Sequence, residues 1–265
     1  MTSGVRRSLG RTLGLLVCIL WRRGRVSTRN RLSLAFGSKP PVNERDVFTA
    51  LGSDLADTVA LFDRSVRASN LMPLSQPGKK VLEQALSRKQ GAIYVTAHLG
   101  PIDIMAASIA ETLCGSHEVA TLARESYDRR FTALYDELRL PRGVQTLYRG
   151  RRGTTRSVVR ALRDGKLVGF PVDIVGRGMR GCLVPFLGGR SLMAMGPLSL
   201  ARRMRVPIVI GTPTATERGF EITVEPFDAI MCGEMSNERA IEVMASVLDR
   251  RIMALPAHYA WMHDG

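Results

Sequence analysis

The sequence has little of what marks several common classes of protein. Only four cysteines occur in 265 residues, and no two of them form a Cys-x-x-Cys pair. Scattered cysteines argue against a structural zinc site or a disulfide framework, and they favour a reducing compartment. The G-x-S-x-G turn, the Walker phosphate loop and the H-E-x-x-H pair are also absent. Hydrolase, nucleotide-dependent and zinc-protease chemistry therefore has no support in the sequence.

Acidic residues are missing from the N-terminal part of the chain, where nine basic residues precede the first acid, Glu44, in a protein of net charge +14. Between Arg11 and Arg22 lies the apolar segment TLGLLVCILW. It is shorter than the roughly 20 residues that span a bilayer. Its basic flanks predict a helix that lies in the interface of an anionic membrane, with a buried core helix as the alternative. Within residues 1–28 the only aromatic residue is Trp21, so the stacking platforms of a nucleic-acid-binding arm are missing, and we expect no nucleic acid partner.

After residue 91, strand-like and helix-like runs alternate. This predicts an α/β fold with a largely parallel or mixed central sheet flanked by helices. We divide the chain into a membrane-associating segment (1–28), a helical part (29–90) and an α/β domain (91–265). In the helical part, Asn43 and Asp46 predict a capped helix with an apolar face of Phe48, Leu51, Leu55, Val59 and Phe62, then a loop at 73–78. Strands are predicted at 92–97, 119–123, 144–148, 167–172, 183–186, 208–211 and 220–224, and later helices at 104–113, 129–138, 154–163, 193–204 and 238–253.

The most informative segment is AIYVTAHLGPID at residues 92–103. An apolar run ends at His98 and a helix-like run begins near Asp103, so the two residues flank a strand-to-helix turn. From the first helical turn, Asp103 can accept a hydrogen bond from one imidazole nitrogen and leave the other basic. His98 would then be a general base that deprotonates a substrate hydroxyl. The alternative is a structural histidine that caps the helix.

Further candidate residues lie in this turn and after it. Gly100 is a candidate for contact with substrate. Asp173 ends the run LVGFPVD, and a carboxylate at the carboxyl end of a buried strand is often a site residue. An anionic substrate needs a guanidinium, and the candidates are Arg124, Arg142, Arg149, Arg151 and Arg152, with a solvated surface as the alternative for most of them.

One glycine-rich segment matches the dinucleotide pattern G-x-G-x-x-G, namely GRGMRG at residues 176–181. The residues that follow it read as a strand and not as the helix that this pattern requires. No acid that could hold a ribose lies about twenty residues further on. We therefore interpret the segment as a flexible loop.

Several segments occur in an order that is typical of one family. They are RNRLSLAF at 29–36, AHLGPID at 97–103, TLARESYD around Arg124, LRLPRGVQTLYRG, LRDGKLVGFPVD, VPFLGG, MGPLSLARRMRVPIVIG and the final PAHYAWMH. Together they resemble the lipid A late acyltransferases, the lauroyl/myristoyl acyltransferase family. That family is related to the glycerolipid acyltransferases, which share a His-x4-Asp/Glu motif. The likeness covers nearly the whole chain.

The resemblance implies a glycerolipid acyltransferase-like fold and an O-acyltransferase. By it, His98 is the general base, Asp103 is its orienting partner, and Arg142 and Asp173 fall on other positions tied to activity. Arg142, Asp173, Arg124, Arg149 and Gly100 are the expected substrate-binding residues, without a metal or cofactor. The expected partners are an anionic lipid acceptor, an acyl carrier protein or coenzyme A thioester, and the cytoplasmic surface of the bacterial inner membrane. The alternatives are a lysophospholipid or other glycolipid acyltransferase, and a non-catalytic lipid-binding member.

Overall fold

The computed structural model describes residues 3–87, 90–175, 180–217, 219–228 and 235–263. Over these residues a six-stranded sheet has the order β3 (Val144–Arg149), β2 (Val119–Arg124), β4 (Leu167–Pro171), β1 (Ala92–Thr96), β7 (Ile208–Thr216) and β8 (Gly219–Pro226). All neighbouring pairs are parallel except β7 and β8. Apolar cores lie on both faces, because alternation along β1 sends Ile93 and Val95 to one core and Tyr94 to the other. The predicted α/β class with a mixed sheet is confirmed.

Strands and helices alternate along residues 92–171. The strands are β1 (Ala92–Thr96), β2 (Val119–Arg124), β3 (Val144–Arg149), β4 (Leu167–Pro171), β5 (Gly181–Phe186), β6 (Gly189–Ala194), β7 (Ile208–Thr216) and β8 (Gly219–Pro226). The helices are α1 (Ser3–Leu20), α2 (Arg22–Phe36), α3 (Glu44–Val59), α4 (Ala68–Leu71), α5 (Gln76–Leu86), α6 (Ile102–Leu113), α7 (Arg129–Arg139), α8 (Thr154–Arg163), α9 (Gly196–Met204) and α10 (Asn237–Ala254).

The strand order changes direction at β1. From β1 the chain builds β2, β3 and β4 on one side, and it later places β7 on the other side. In an open α/β sheet, a crevice forms outside the carboxyl ends of the strands at such a point, and ligands bind there. His98 follows β1 by two residues and Asp173 follows β4 by two residues. The topology therefore brings both residues to this crevice.

Helix α1 is docked on α3 by a narrow stripe of small residues. A Cβ atom on Gly10 would lie 2.4 Å from the Gly52 carbonyl oxygen, and one on Gly14 would lie 2.1 Å from that of Phe48. These glycines therefore allow the two helix backbones to approach closely. At the end of the contact, Asp57 accepts hydrogen bonds from Arg6 and Arg7.

The remaining face of α1 is apolar and exposed. Leu9, Leu16 and Leu20 are 59%, 50% and 82% exposed, so α1 is not the buried core helix of the alternative interpretation. Among the described residues, no helix is both long and apolar enough to cross a membrane. The expected boundary after residue 28 falls inside α2.

Other expectations need correction. The predicted capping box of α3 is present, but Leu55 and Val59 are about half exposed while Asp54 and Asp57 are buried. Phe48 of the predicted face is buried, but α1 and the C-terminal segment pack on the side of α3 that carries Asp54 and Asp57, which leaves Leu55 and Val59 outside the contact. Residues 193 and 194 belong to the missed strand β6, which pairs with β5, and α5 begins inside the expected loop at 73–78. Residues 176–179 of the glycine-rich segment lie outside the described residues.

Candidate active site

A partly exposed His98 and a buried Asp173 form a pair at the carboxyl ends of adjacent strands. The parallel register places Thr96 of β1 beside Pro171 of β4, so the residues two positions further on also face each other. Nδ1 of His98 lies 2.9 Å from Oδ1 of Asp173, and the His98 backbone N–H donates to Oδ2 at 3.0 Å. The carboxylate therefore holds both the imidazole and its backbone. With Nδ1–H donating to Asp173, Nε2 of His98 carries the free lone pair.

The electrostatics of this pair stabilise its charged form. Burial disfavours an imidazolium at His98, but the charge and hydrogen bond of Asp173 outweigh it, so the pKa of His98 is raised. Burial likewise opposes the Asp173 carboxylate, but His98 and its backbone N–H outweigh it, so the pKa of Asp173 is lowered. His98 retains 31% exposure of its side chain, whereas that of Asp173 is fully buried. The imidazole is therefore oriented from inside and accessible from outside.

The structure corrects the expected partner of His98, because Asp103 binds Arg139 instead. Nε of Arg139 donates to Oδ1 of Asp103 at 2.6 Å, and the two side chains are only 11% and 12% exposed. No sequence pattern singled out Arg139, which lies in the last turn of α7. Asp103 acts on His98 only through its charge, as a weaker cause of the raised pKa than Asp173. The prediction that Asp103 orients the imidazole is therefore wrong.

The structure also overturns the phosphate-binding role expected for Arg142. Its guanidinium donates to the backbone carbonyl oxygens of Leu61, Asp63 and Val66, and it lies 3.7 Å from Glu111. The side chain is only 7% exposed. Because its donors bind three carbonyl groups of this short stretch, Arg142 fastens the segment between α3 and α4.

Arg124 and Arg149 do come together near the site. They are directly opposite each other at the ends of β2 and β3. Burial and the like charge of Arg124 lower the pKa of Arg149, and the charge of Arg149 also lowers that of His98. Arg151, in contrast, pairs with Glu125 at the surface, as the solvated-surface alternative expected. The guanidinium groups of Arg124 and Arg149 together form a basic edge beside His98.

The C-terminal segment clamps the turn that carries His98. The Gly100 N–H donates to the His258 carbonyl oxygen at 2.8 Å, and the Ala260 N–H donates to the His98 carbonyl oxygen at 3.2 Å. Gly100 has a φ of +65°, a conformation that favours glycine. The His258 side chain is tied in turn to α3, with Nδ1 2.8 Å from Oδ2 of the buried Asp54. Gly100 thus shapes this turn, while its predicted contact with substrate remains a prediction.

Two residues near the His98–Asp173 pair, the dyad, were not singled out as site residues from the sequence. The rings of His263 and His98 have centroids 6.1 Å apart, and burial and the charge of His98 lower the pKa of His263. Tyr259 is buried, and burial and Asp173 raise the pKa of its hydroxyl. The segment PAHYAWMH contains both residues and was noted in the sequence. Its spacing did not indicate which of its residues would lie near His98 and Asp173.

This arrangement is an imidazole held by a buried carboxylate beside a basic edge. The model of the bacterial lipid A biosynthesis acyltransferase family matches residues 1–264. The chain belongs to this family. No curated protein matches the chain. The enzyme is therefore an acyltransferase of lipid A biosynthesis, and the sequence resemblance is confirmed at the level of the family.

Proposed function

We propose that this acyltransferase moves a fatty acyl chain from a thioester to a hydroxyl of an anionic, lipid A-type lipid, with His98 as general base. The observation that carries the proposal is the contact of His98 with the buried Asp173, which leaves Nε2 of His98 basic at an accessible edge of the sheet. A neutral hydroxyl is a weak nucleophile, and such a base activates it by removing its proton. No serine or cysteine of the protein therefore has to form a covalent intermediate.

The chemical step conserves protons. As the acceptor oxygen attacks the thioester carbonyl, Nε2 of His98 removes the hydroxyl proton. The tetrahedral intermediate then expels the thiolate, which takes the proton back from the imidazolium. We assign stabilisation of the oxyanion to the first turn of α6, which begins four residues after His98 and offers backbone N–H groups at the positive end of a helix dipole.

The basic edge provides a reason for an anionic acceptor. Arg124 and Arg149 are opposite each other on neighbouring parallel strands, which lie ~4.8 Å apart. A phosphate group can accept hydrogen bonds from two guanidinium groups at once, and its charge relieves their mutual repulsion. We therefore place an acceptor phosphate against these two arginines. In this proposal the ion pair of Asp103 and Arg139 holds α7 against the first turn of α6, beside the site.

The N-terminal helices support a membrane location. On α1, Arg11 precedes the exposed Leu13, Leu16 and Leu20, and Arg22 and Arg23 follow them. Apolar side chains with basic flanks suit insertion into the headgroup region of an anionic leaflet. The docking of α1 on α3 then fixes how far the crevice lies from the lipid. We propose that the enzyme binds peripherally to the cytoplasmic face of the bacterial inner membrane.

A reconstituted assay tests the proposed function. The purified full chain is mixed with a labelled acyl thioester, on acyl carrier protein or on coenzyme A, and with one of three acceptors. These are an underacylated lipid A precursor, a lysophospholipid and a neutral glycolipid. We expect transfer to the lipid A precursor, detected by mass spectrometry. Transfer only to the lysophospholipid or glycolipid would overturn the proposed acceptor, and no transfer to any of them would support a non-catalytic lipid-binding role.

The lipids of a deletion strain give an independent test of the acceptor. Loss of a secondary acyl chain from lipid A is the expected result. Unchanged lipid A together with altered phospholipids or glycolipids would contradict the proposal.

A further inference from the structure

A second histidine–carboxylate pair joins the C-terminal segment to α3. Nδ1 of His258 lies 2.8 Å from Oδ2 of Asp54. The side chain of Asp54 is only 10% exposed and that of His258 is 23% exposed, so both polar groups are largely removed from water. The proposed chemical step uses neither of them. Their contact therefore calls for another reason.

The main chain around His258 is paired with the turn that carries His98. The Gly100 N–H donates to the His258 carbonyl oxygen at 2.8 Å, and the Ala260 N–H donates to the His98 carbonyl oxygen at 3.2 Å. The residues between them form an antiparallel bridge. Because the two short segments are joined at three successive positions, a displacement of His258 would displace the backbone of His98.

The side chain of His258 has fixed contacts with two further elements. Asp54 binds it from α3, and the ring of Phe220 on β8 meets it edge to face, with the ring centroids 4.8 Å apart and the planes at 83°. Both contacts are directional, since an aromatic pair prefers this arrangement and a hydrogen bond requires alignment. The imidazole of His258 is thus held between α3 and β8.

Stability alone does not explain the contact with Asp54. Burial raises the pKa of Asp54, although the hydrogen bond and charge of His258 lower it. Burying the carboxylate therefore costs more than the contact with His258 returns. Apolar side chains in place of such a buried pair are often as stable or more stable. A directional contact has one geometry, however, so it fixes the position of the segment in a way that an apolar contact does not.

The anchor of His258 also lies on the helix that carries α1. Asp57 follows Asp54 by one turn of α3 and accepts hydrogen bonds from Arg6 and Arg7 of α1. The charges of Asp57 and Arg7 act on the Asp54 carboxyl as well. The docking of α1 on α3 and the anchoring of His258 to α3 therefore occur at neighbouring positions of one helix.

We propose that Asp54 and His258 are positioning residues for His98, and that they tie the position of the base to α3, on which the membrane-facing α1 is docked. This inference rests on the proposed acyl transfer. Neither residue contacts the substrates, so its loss should lower kcat and leave KM for the thioester and for the lipid unchanged. A displacement of about 1 Å at a reacting group can cost ~10²-fold in rate.

Steady-state kinetics of the full chain with both substrates test this inference. His258→Ala removes the imidazole and keeps the carbonyl group that binds Gly100. Its kcat should fall by about 10-fold to 10²-fold, with both KM values unchanged. In His258→Asn, the side-chain amide places an N–H donor where Nδ1 of the imidazole was. This conservative variant should therefore keep the bond to Asp54 and recover most of the wild-type kcat.

Ser108→Ala is the matched control for a loss of stability. The Ser108 hydroxyl is fully buried on α6 and donates to the Met72 carbonyl oxygen at 2.6 Å, away from the turn of His98. Its removal should lower the melting temperature and leave kcat unchanged. A wild-type kcat in folded His258→Ala would overturn this inference and leave the proposed function intact. An equal loss of kcat in Ser108→Ala would also overturn it, because the effect would then follow stability.

Asp54→Asn tests the same contact with a side chain of the same shape, and it serves if His258→Ala does not fold. A neutral amide binds more weakly than a carboxylate, so kcat should fall here too. Added to His258→Ala, it should cause no further loss, since Asp54 acts through His258. A wild-type kcat in Asp54→Asn, or losses that multiply in the double variant, would contradict the inference. Absence of transfer by the wild-type chain would overturn the proposed function itself.

Discussion

Both carboxylate oxygens of Asp173 bind one residue, His98, through the imidazole Nδ1 at 2.9 Å and the backbone N–H at 3.0 Å. One buried side chain thus fixes the tautomer of the base and the path of the turn that presents it. The turn is held from the other side by backbone hydrogen bonds to His258 and Ala260. The imidazole is therefore preorganised before any substrate binds.

The pH dependence of acyl transfer should reflect the effect of Asp173 on the pKa of His98. The base works only when His98 is neutral, and Asp173 raises its pKa above the ordinary 6.5. We expect kcat/KM to fall as the pH is lowered, with a midpoint above 6.5. Asp173→Asn removes the raising charge, so burial and Arg149 should move the midpoint to lower pH, while the plateau falls by about 10²–10⁴-fold. Rate profiles that coincide for the wild type and Asp173→Asn would contradict this role.

The Asp103–Arg139 pair should contribute mainly through its mutual contact. Each charge is buried, so Asp103→Asn or Arg139→Gln alone leaves its partner uncompensated, which typically costs about 3–5 kcal/mol of folding free energy. The double variant should be less destabilised than the sum of the two single variants. Urea unfolding monitored by circular dichroism gives the coupling energy in a double-mutant cycle. Additive effects would show that the pair is not coupled.

The arginines should divide into one that stabilises the fold and two that bind substrate. Arg142→Gln removes hydrogen bonds to three carbonyl groups, so it should lower the melting temperature and leave KM for the lipid acceptor unchanged. Arg149→Gln and Arg124→Gln should raise that KM with little effect on melting, and their effect should diminish for an acceptor that lacks phosphate. A raised KM in Arg142→Gln alone would reverse this assignment.

Membrane binding should depend on the exposed face of α1. Removing residues 1–28 would cut α2 and uncover α3, so point substitutions are the sharper test. Leu9→Gln, Leu16→Gln and Leu20→Gln combined should reduce flotation with anionic vesicles more than tenfold, since burying one leucine contributes on the order of 1.5–3 kcal/mol. The melting temperature, which reports the docking of α1 on α3, is the control. Unchanged flotation with a normal melting temperature would exclude this face as the anchor.

The sequence predicted the parts of this molecule that local patterns determine. Strand-to-helix alternation gave the fold class, and the end of an apolar run placed His98 and Asp173 at strand ends. The order of β4 beside β1 is a property of the whole sheet, so no local spacing indicated that Asp173 would meet His98. Asp103 is closer to His98 in sequence, but it lies on α6, where Arg139 from α7 reaches it. Arg142 was misassigned because basic residues at a surface and at buried carbonyl groups are indistinguishable in sequence.

The measurement that tests the central claim most directly is the rate of acyl transfer by His98→Ala. The full-length variant is assayed with saturating thioester and lipid acceptor, after circular dichroism and thermal melting have shown that its fold matches the wild type. A fall of about 10²–10⁴-fold in kcat is the predicted result, because the hydroxyl loses its general base. A folded variant that retains more than a few per cent of wild-type transfer would contradict the account.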